Sequence, residues 1–405
     1  MHIYTKDKMK KYIARTCEKA LVRASKQFPA LILTGPRQSG KTTLFKHLFG
    51  KTHTYVSLDN PNIRLMAIDD PELFLKNYPP PVIIDEIQYA PGLFSFIKIM
   101  IDENRDAHGQ FLLTGSQSFP LMQNVTDSLA GRIAVFTLLS FSLRERFRAG
   151  ETLGLSPIKK EILRGGFPDI FIHHTSDISL WFSSYLQTYL ERDVREVRKV
   201  GDLTDFQRFL ELLAAFNGQI INLSSMSRDL GVAVNTVKSW LSVLEASYQV
   251  ILVKPFYMNK GKRIIKSPKI YFLDTGLLCH LNGVSEPAQV FKGVSSGQLF
   301  ETVVLGEIVR QFYVSGKIPR IYYWRTSHGE EVDFIIEDTG KLIPIEVKTG
   351  TKASPEAVKE LMRFSALFVP RVKEPILVNL SDSEVLLRGG VKVRPFQKFV
   401  WQNLV

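Results

Sequence analysis

The chain has 405 residues, of which 45% are hydrophobic and 23% charged, proportions of an ordinary globular protein that argue against disorder. That length suits roughly two to four domains, each with its own core. A formal net charge of +12 at pH 7 favours an acidic partner, nucleic acid or an anionic membrane surface.

Cys17 and Cys279 stand far apart with no CxxC or Cys/His cluster, which excludes a disulfide framework and a zinc site and fits a reducing compartment. The N-terminal stretch "MHIYTKDKMKKYIARTCEKALVR" is basic but has no apolar core of signal-peptide type. No later run approaches the ~20 apolar residues of a membrane span. The expectation is a cytoplasmic protein with no membrane partner.

From Ala30 to about Ser142 short apolar runs, "ALILTG", "THTYVSLD", "PVIIDE", "QFLLTGS" and "IAVFTLL", alternate with helix-length segments. This pattern predicts a parallel sheet covered by helices on both faces. "GPRQSGKT", Gly35 to Thr42, fits G-x-x-x-x-G-K-[ST] between the strand "ALIL" and the helix "TTLFKHLF". In the loop that begins at Gly35–Pro36, Gly35 and Gly40 let the backbone N–H groups of Arg37, Gln38, Ser39 and their neighbours turn toward phosphates, and the helix beginning at Lys41, Thr42 and Thr43 adds partial positive charge. Lys41 is expected to neutralise β- and γ-phosphate charge, and the Thr42 hydroxyl to ligate Mg2+. The strand "PVIID" ends in Asp85–Glu86, an aspartate suited to the magnesium ion and a glutamate suited to polarising the attacking water. Thr114–Gly115–Ser116 ends the next strand, where Ser116 is either a γ-phosphate or water contact or part of a plain turn. Arg132, in "SLAGRI", either caps a helix carboxyl end or reaches a γ-phosphate on a neighbouring subunit of a homo-oligomer.

Together "GPRQSGKTT", "LDNP", "IIDEIQYAP", "LLTGSQ" and "SLAGR" resemble the prokaryotic AAA-superfamily ATPases that carry a C-terminal domain of unknown function. The likeness continues through "GGFPD", "SYLQTYLERDV", "NTVKSWLSVLEASYQV", "KSPKIYFLDTGL", "YYWR" and "EVDFI", nearly the whole chain. The resemblance implies an ATPase fold using ATP and magnesium at Lys41, Thr42, Asp85 and Glu86, and it favours Arg132 as a finger.

Beyond Ser142 the chain turns helical, broken by "RGGFPD", and "ISLWFSSYLQTYLERDVREVRKV" predicts one long helix whose charge-dense end is a solvated face. From Asp205 to Thr275 the pattern is helix, helix, helix, hairpin: "FQRFLELLAAFNG", "SSMSRDLG" with serine caps, "NTVKSWLSVLEAS", then two strands joined across "NKGK". That is the outline of a winged helix-turn-helix. Val237, Trp240, Leu241 and Leu244 recur at helical spacing and predict the buried face, leaving Asn235, Thr236, Lys238 and Ser239 outward. Lys260, Lys262, Arg263 and Lys266 in the hairpin suit phosphate contacts, so DNA is the expected partner. The competing reading is a lid or protein contact with solvated lysines.

"LIPIEVKTG" places Glu346 and Lys348 on one face of an apolar strand, where neither is readily buried alone. With "EDTG" as the hairpin loop, Ile336 pairs with Lys341 and Asp333 faces Pro344, which makes Glu346 its diagonal neighbour. Asp333, Glu346 and Lys348 then converge, and Glu301 on the preceding helix is a candidate fourth member. The D…E-x-K set resembles the core of restriction-endonuclease-like folds, which implies a divalent metal held by Glu301, Asp333 and Glu346 that activates an attacking water, with Lys348 orienting or neutralising. Metal-dependent nuclease activity is therefore an expectation alongside the ATPase. An internal ion network in a fold kept for binding is the alternative. The expected fold class is therefore α/β, with a P-loop ATPase domain over 1–142, a helical linker over 143–204, a winged helix-turn-helix over 205–275 and an endonuclease-like domain over 276–405.

Overall fold

The computed structural model describes residues 12–116, 129–147, 154–173, 175, 177–190, 203–258, 267–293 and 295–404. The five apolar runs of the N-terminal third are strands β1 (Ala30–Thr34), β2 (Thr54–Ser57), β3 (Val82–Asp85), β4 (Phe111–Thr114) and β5 (Ile133–Thr137), in the order β2-β3-β4-β1-β5. Every pairing in this sheet is parallel. Alternate residues of β1 feed different cores, Ala30 and Ile32 on one face and Leu31 and Leu33 on the other. A strand buried on both faces has no use for polar alternation, which is why these runs read as continuously apolar.

The second sheet contains β6 (Val250–Pro255), β7 (Lys269–Phe272), β8 (Ile321–Arg325), β9 (Glu331–Asp338), β10 (Lys341–Val347), β11 (Ile376–Asn379), β12 (Val385–Leu386) and β13 (Lys392–Pro395), ordered β12-β13-β11-β10-β9-β8-β6-β7. Its pairings mix parallel and antiparallel. The helix Ser296–Val314 packs against it, buried nearly all round, with Phe300, Val304 and Ile308 in the core. One apolar core runs from Leu143 and Phe167 through Phe209, Trp240 and Leu244 to Tyr271, Phe334 and Ile345, so the segments 143–204, 205–275 and 276–405 share their interior.

The three expected helices are Leu203–Ala215, Leu223–Leu230 and Val234–Ala246. The middle one is capped by Asn222, whose side chain accepts from Ser225 N, rather than by a serine, and it stops at Gly231 in the left-handed region. β6 and β7 pair antiparallel as a hairpin, but β6 also pairs in parallel with β8, which joins the hairpin to the C-terminal sheet. Of the long expected helix the structure describes Ile178–Tyr185, followed by a π-helical turn to Leu190, and its charge-dense end lies outside the described residues.

Buried polar bonds fasten the two sheets together. Asp274 caps the Thr275–Leu281 helix, Oδ1 accepting from Gly276 N at 3.0 Å and Leu277 N at 3.1 Å. Its Oδ2 accepts from Gly166 N at 2.9 Å and Ser140 Oγ at 3.0 Å. Gly165, at φ +71°, lies so close to Asp274 Oδ1 that a Cβ would collide with it, which explains the first glycine of "GGFPD". Nearby, Arg310 Nε donates to the Ser140 carbonyl at 3.0 Å, and Leu143 N donates to Glu307 Oε1 at 2.9 Å. Asp274→Ala removes a helix cap and leaves buried donors unpaired, so a loss of about 3 kcal/mol or more is expected in urea denaturation. A variant within about 0.5 kcal/mol of wild type would show that water replaces the carboxylate.

Candidate functional site

The phosphate-binding loop joins the end of β1 to the helix Lys41–Phe49. Gly35 at φ +141°, Gln38 at +60° and Gly40 at +92° fold it into a cradle that ordinary backbone avoids. Lys41 is buried, and its Nζ donates to the Gly35 carbonyl at 3.0 Å and the Pro36 carbonyl at 2.8 Å. Arg37 and Gln38 are half-buried on the loop, Ser39 is buried, and Thr43 is exposed in the first helical turn.

Asp85 ends β3, buried between hydroxyl donors. Thr42 Oγ1 reaches its Oδ1 at 2.8 Å, Tyr55 OH reaches its Oδ2 at 2.9 Å, and Thr114 Oγ1 also donates to Oδ1. Glu86 follows in the left-handed region at φ +57°, a conformation of order 1 kcal/mol uphill for a residue with a Cβ. Its N–H donates to Thr114 Oγ1 at 3.2 Å, and its Oε2 accepts from Ser116 Oγ at 3.2 Å and from Gln88 Nε2. The Ser116 hydroxyl thus lies beside the glutamate at the site. Thr42 and Asp85 supply adjoining hard oxygen donors, and Ser39 Oγ is buried with no hydrogen-bond partner among the described residues. The loop and its flanking acids therefore fit a magnesium–triphosphate group.

Arg132 is elsewhere. Ala30 N donates to its carbonyl, which puts it beside the first residue of β1, a strand length of roughly 16 Å from the loop at the other end. Its guanidinium forms a fork to Asp102, Nε to Oδ1 at 2.9 Å and Nη2 to Oδ2 at 3.0 Å, and Nη1 caps the Ala130 carbonyl at 3.1 Å. This is the capping arrangement, and the Arg132 bonds hold the Asp102 carboxyl below its ordinary pKa.

The C-terminal acids do converge, in a register different from that expected. The β9–β10 loop is Thr339–Gly340, both residues at positive φ, flanked by the pair Asp338 and Lys341. Relative to the expected four-residue loop this moves the register by two, so Asp333 lies directly opposite Glu346 rather than opposite Pro344. The backbone ladder ends at Ile345↔Phe334, and side chains continue it: Asp333 N donates to Glu346 Oε2 at 3.2 Å, and Val347 N donates to Asp333 Oδ2 at 2.8 Å. Lys348 Nζ pairs with Glu346 Oε1 at 2.6 Å. Glu301 accepts from Tyr271 OH at 2.8 Å.

Burial pushes the Glu301 carboxyl up to about 8, reinforced by Asp333 and opposed by Lys269. Burial and Asp333 raise Glu346 well above the carboxylate range against the pull of Lys348. For Lys348 burial acts the other way, but Glu346 and Asp333 outweigh it and raise the ammonium. Lys269 on β7 is buried and ion-paired with Glu331. Lys269 and Tyr271 escaped the sequence reading, yet a lysine on the apolar strand "KIYF" is the same anomaly that singles out Glu346. Among the described residues no set of three His, Cys, Asp or Glu side chains is arranged to hold a metal ion. Glu346 thus accepts with both oxygens, from Lys348 Nζ and from the Asp333 N–H.

Val237, Trp240, Leu241 and Leu244 are buried on the Val234–Ala246 helix as their spacing predicts, while Asn235 and Lys238 are exposed and Thr236 and Ser239 half-buried. Lys260, Lys262, Arg263 and Lys266 lie outside the described residues.

These features meet in a known class. A family model described as "AAA domain" matches residues 27–147, and domains of unknown function DUF8612 and DUF4143 match 156–288 and 296–399. The chain is 31% identical over 383 residues, 92% of its length and 84% of theirs, to the uncharacterized proteins Mb2031c of Mycobacterium bovis and Rv2008c of Mycobacterium tuberculosis. Among solved structures it is similar to the Walker-type ATPase PABY2304 of Pyrococcus abyssi, with 13% identity and a TM-score of 0.46 over 69% of this chain and 99% of that one. A RuvB variant of Thermotoga maritima gives 18% identity and a TM-score of 0.28 over 58% and 85%. The chain belongs to the AAA-type P-loop ATPases that carry a C-terminal DUF4143 domain. Among the described residues no helix is long and apolar enough to cross a membrane.

The acid cluster carries a pH signature. A carboxylate whose folded pKa exceeds its unfolded value binds extra protons in the native state, so stability declines as pH rises between the two values. For Glu301 that window runs from its ordinary 4.5 to about 8. Melting temperature is expected to fall as pH is raised across it, and Glu301→Gln to flatten the slope. An unaltered slope in the variant would assign the titration to other groups.

Proposed function

We propose that this protein is a magnesium-dependent ATP hydrolase that acts on, or is regulated by, DNA. The observation that carries the reading is the Thr42–Asp85–Glu86 arrangement, with the first two oxygen-bearing groups 2.8 Å apart and the glutamate aimed by Ser116 and Gln88. Magnesium, when bound, neutralises phosphate charge and orients the reacting phosphoryl group. Thr42 and Asp85 would hold it. Lys41 would exchange its bonds to the loop carbonyls for phosphate oxygens, and Glu86 would take the proton of the attacking water. Arg132 would serve as a finger only toward a second copy and only after releasing Asp102. Lys41→Ala is expected to lose nucleotide affinity, whereas Glu86→Gln should bind ATP and turn over at least a hundredfold more slowly, on the order of a lost general base. Calorimetric binding and phosphate release read the two effects separately, and equal turnover in Glu86→Gln and wild type would remove Glu86 from the reaction.

The DNA reading is supported by the net charge of +12 and by the exposed Asn235 and Lys238 on a helix whose opposite side is buried. A winged helix-turn-helix is the module this pattern fits, with Lys260, Lys262, Arg263 and Lys266 as its phosphate contacts. A second reading concerns the C-terminal domain: an endonuclease-like fold that binds or assembles without cleaving. The Lys348–Glu346 pair at 2.6 Å favours it, because it uses the carboxylate a metal would need. Lys238→Ala should lower the salt slope of DNA binding by about one. Supercoiled plasmid with magnesium or manganese should stay intact in wild type. Nicking that disappears in both Asp333→Ala and Lys348→Ala would replace the binding reading with a nuclease.

A further inference from the structure

Arg15 precedes the 27–147 segment that matches the AAA domain, yet its side chain is built into the nucleotide site. The residue is 7% exposed. Its Nη1 donates to the Ser39 carbonyl of the phosphate-binding loop at 2.9 Å, Nη2 to the Leu139 carbonyl at 2.6 Å, and Nε to Glu145 Oε1 at 3.1 Å. The guanidinium also lies 4.6 Å from the centre of the Phe141 ring. No lysine could make these bonds at once, because they need the planar fork.

The Ser39 carbonyl and the Gly40 N–H belong to one rigid peptide plane and point in opposite directions. Drawing the carbonyl toward Arg15 therefore turns the Gly40 N–H away from it. A Cβ on Gly40 would sit 3.9 Å from Arg15 Nη1, so the guanidinium lies directly against the turn from loop to helix. A buried cation here needs a buried anion, and Glu145 is that anion. Burial raises its pKa, but Arg15, the N–H groups of Thr16 and Ser142 and the Thr16 hydroxyl together hold it below its ordinary value. Glu145 accepts from Thr16 N at 2.8 Å and Ser142 N at 2.9 Å and completes a capping box with Ser142.

The segment that Arg15 grips on this side is the one the C-terminal helix holds. Arg310 binds the Ser140 carbonyl and Glu307 accepts from Leu143 N, both from Ser296–Val314, the helix that also carries Glu301. One guanidinium thus stands between the phosphate loop and the junction with the C-terminal domain.

We propose that Arg15 is a positioning residue for ATP: it sets the Ser39–Gly40 peptide and makes phosphate affinity depend on how residues 139–145 sit against the C-terminal helix. This rests on the ATP reading of the site, so wild type is measured beside the variants. The probe is magnesium–ATP, titrated calorimetrically into the full chain, with a thermal melt and steady-state turnover of each variant. Arg15→Lys keeps a cation for Glu145 but loses the fork. It should still fold, with a melting temperature below wild type because buried carbonyls lose donors, while ATP affinity measured well below that temperature weakens by about tenfold or more, and KM should rise more than kcat falls. Glu307→Gln touches neither nucleotide nor loop. It should weaken affinity by a smaller factor in the wild-type background and have no further effect in Arg15→Lys. Glu145→Gln, which removes the counter-charge, gives the same reading should Arg15→Lys not fold. A folded Arg15 or Glu145 variant with wild-type ATP affinity overturns the positioning role, and independent, multiplying effects of Arg15→Lys and Glu307→Gln overturn the dependence on the junction. Wild type that binds no ATP overturns the nucleotide reading itself and this role with it.

Discussion

A carboxylate removed from water must be met by donors, and this requirement orders the molecule. Asp85 is met by the hydroxyls of Thr42, Tyr55 and Thr114, which draws β2, β3, β4 and the loop helix to one point. Asp274 is met by backbone N–H groups and Ser140, which ties the "GGFPD" turn and a helix start to the end of the first sheet. Glu145 is met by Arg15, Thr16 and Ser142. Asp333 and Glu346 meet each other's strands where the backbone ladder stops. In each case one acid fixes the relative position of several chain segments.

The helix Ser296–Val314 gains its importance from the same rule. It is buried nearly all round, as a helix at the centre of a core must be, and four polar side chains along it reach partners on separate chain segments. Glu301 is bonded to Tyr271, Thr302 to Asn217, Glu307 to Leu143, and Arg310 to Ser140 and Leu273. The ATPase sheet and the acid cluster are thus both contacted by neighbouring turns of one helix. A shift at either contact meets a packed interior that deforms little.

The corrections have physical causes. Lengthening a hairpin loop by two residues shifts the register by two, and because side chains alternate with period two the face is preserved. Asp333 and Glu346 therefore meet in either register, and only their closeness changes. Arg132 was legible as an arginine at a helix end, but which of its possible anions it meets depends on Asp102, thirty residues away in sequence and adjacent only in the fold. The metal pocket was inferred from residue types that are present. The pairing of Lys348 with Glu346 is a matter of side-chain orientation, which residue types do not record.

Taken alone, the sequence determined the features that depend on local pattern. The strands of the first sheet follow from apolar runs bounded by helical segments, the phosphate loop from its glycines between strand and helix, and the buried face Val237–Trp240–Leu241–Leu244 from helical spacing. These depend on neighbours a few residues apart, which a linear chain displays. What only the tertiary structure decided are the long-range partnerships: Arg15 with Ser39 and Glu145, Asp274 with Gly166, Lys269 beside Glu301 and Asp333, and β6 with β8. Such pairings come from packing and from matching buried charge to buried donor, and neither periodicity nor motif records which distant group will arrive.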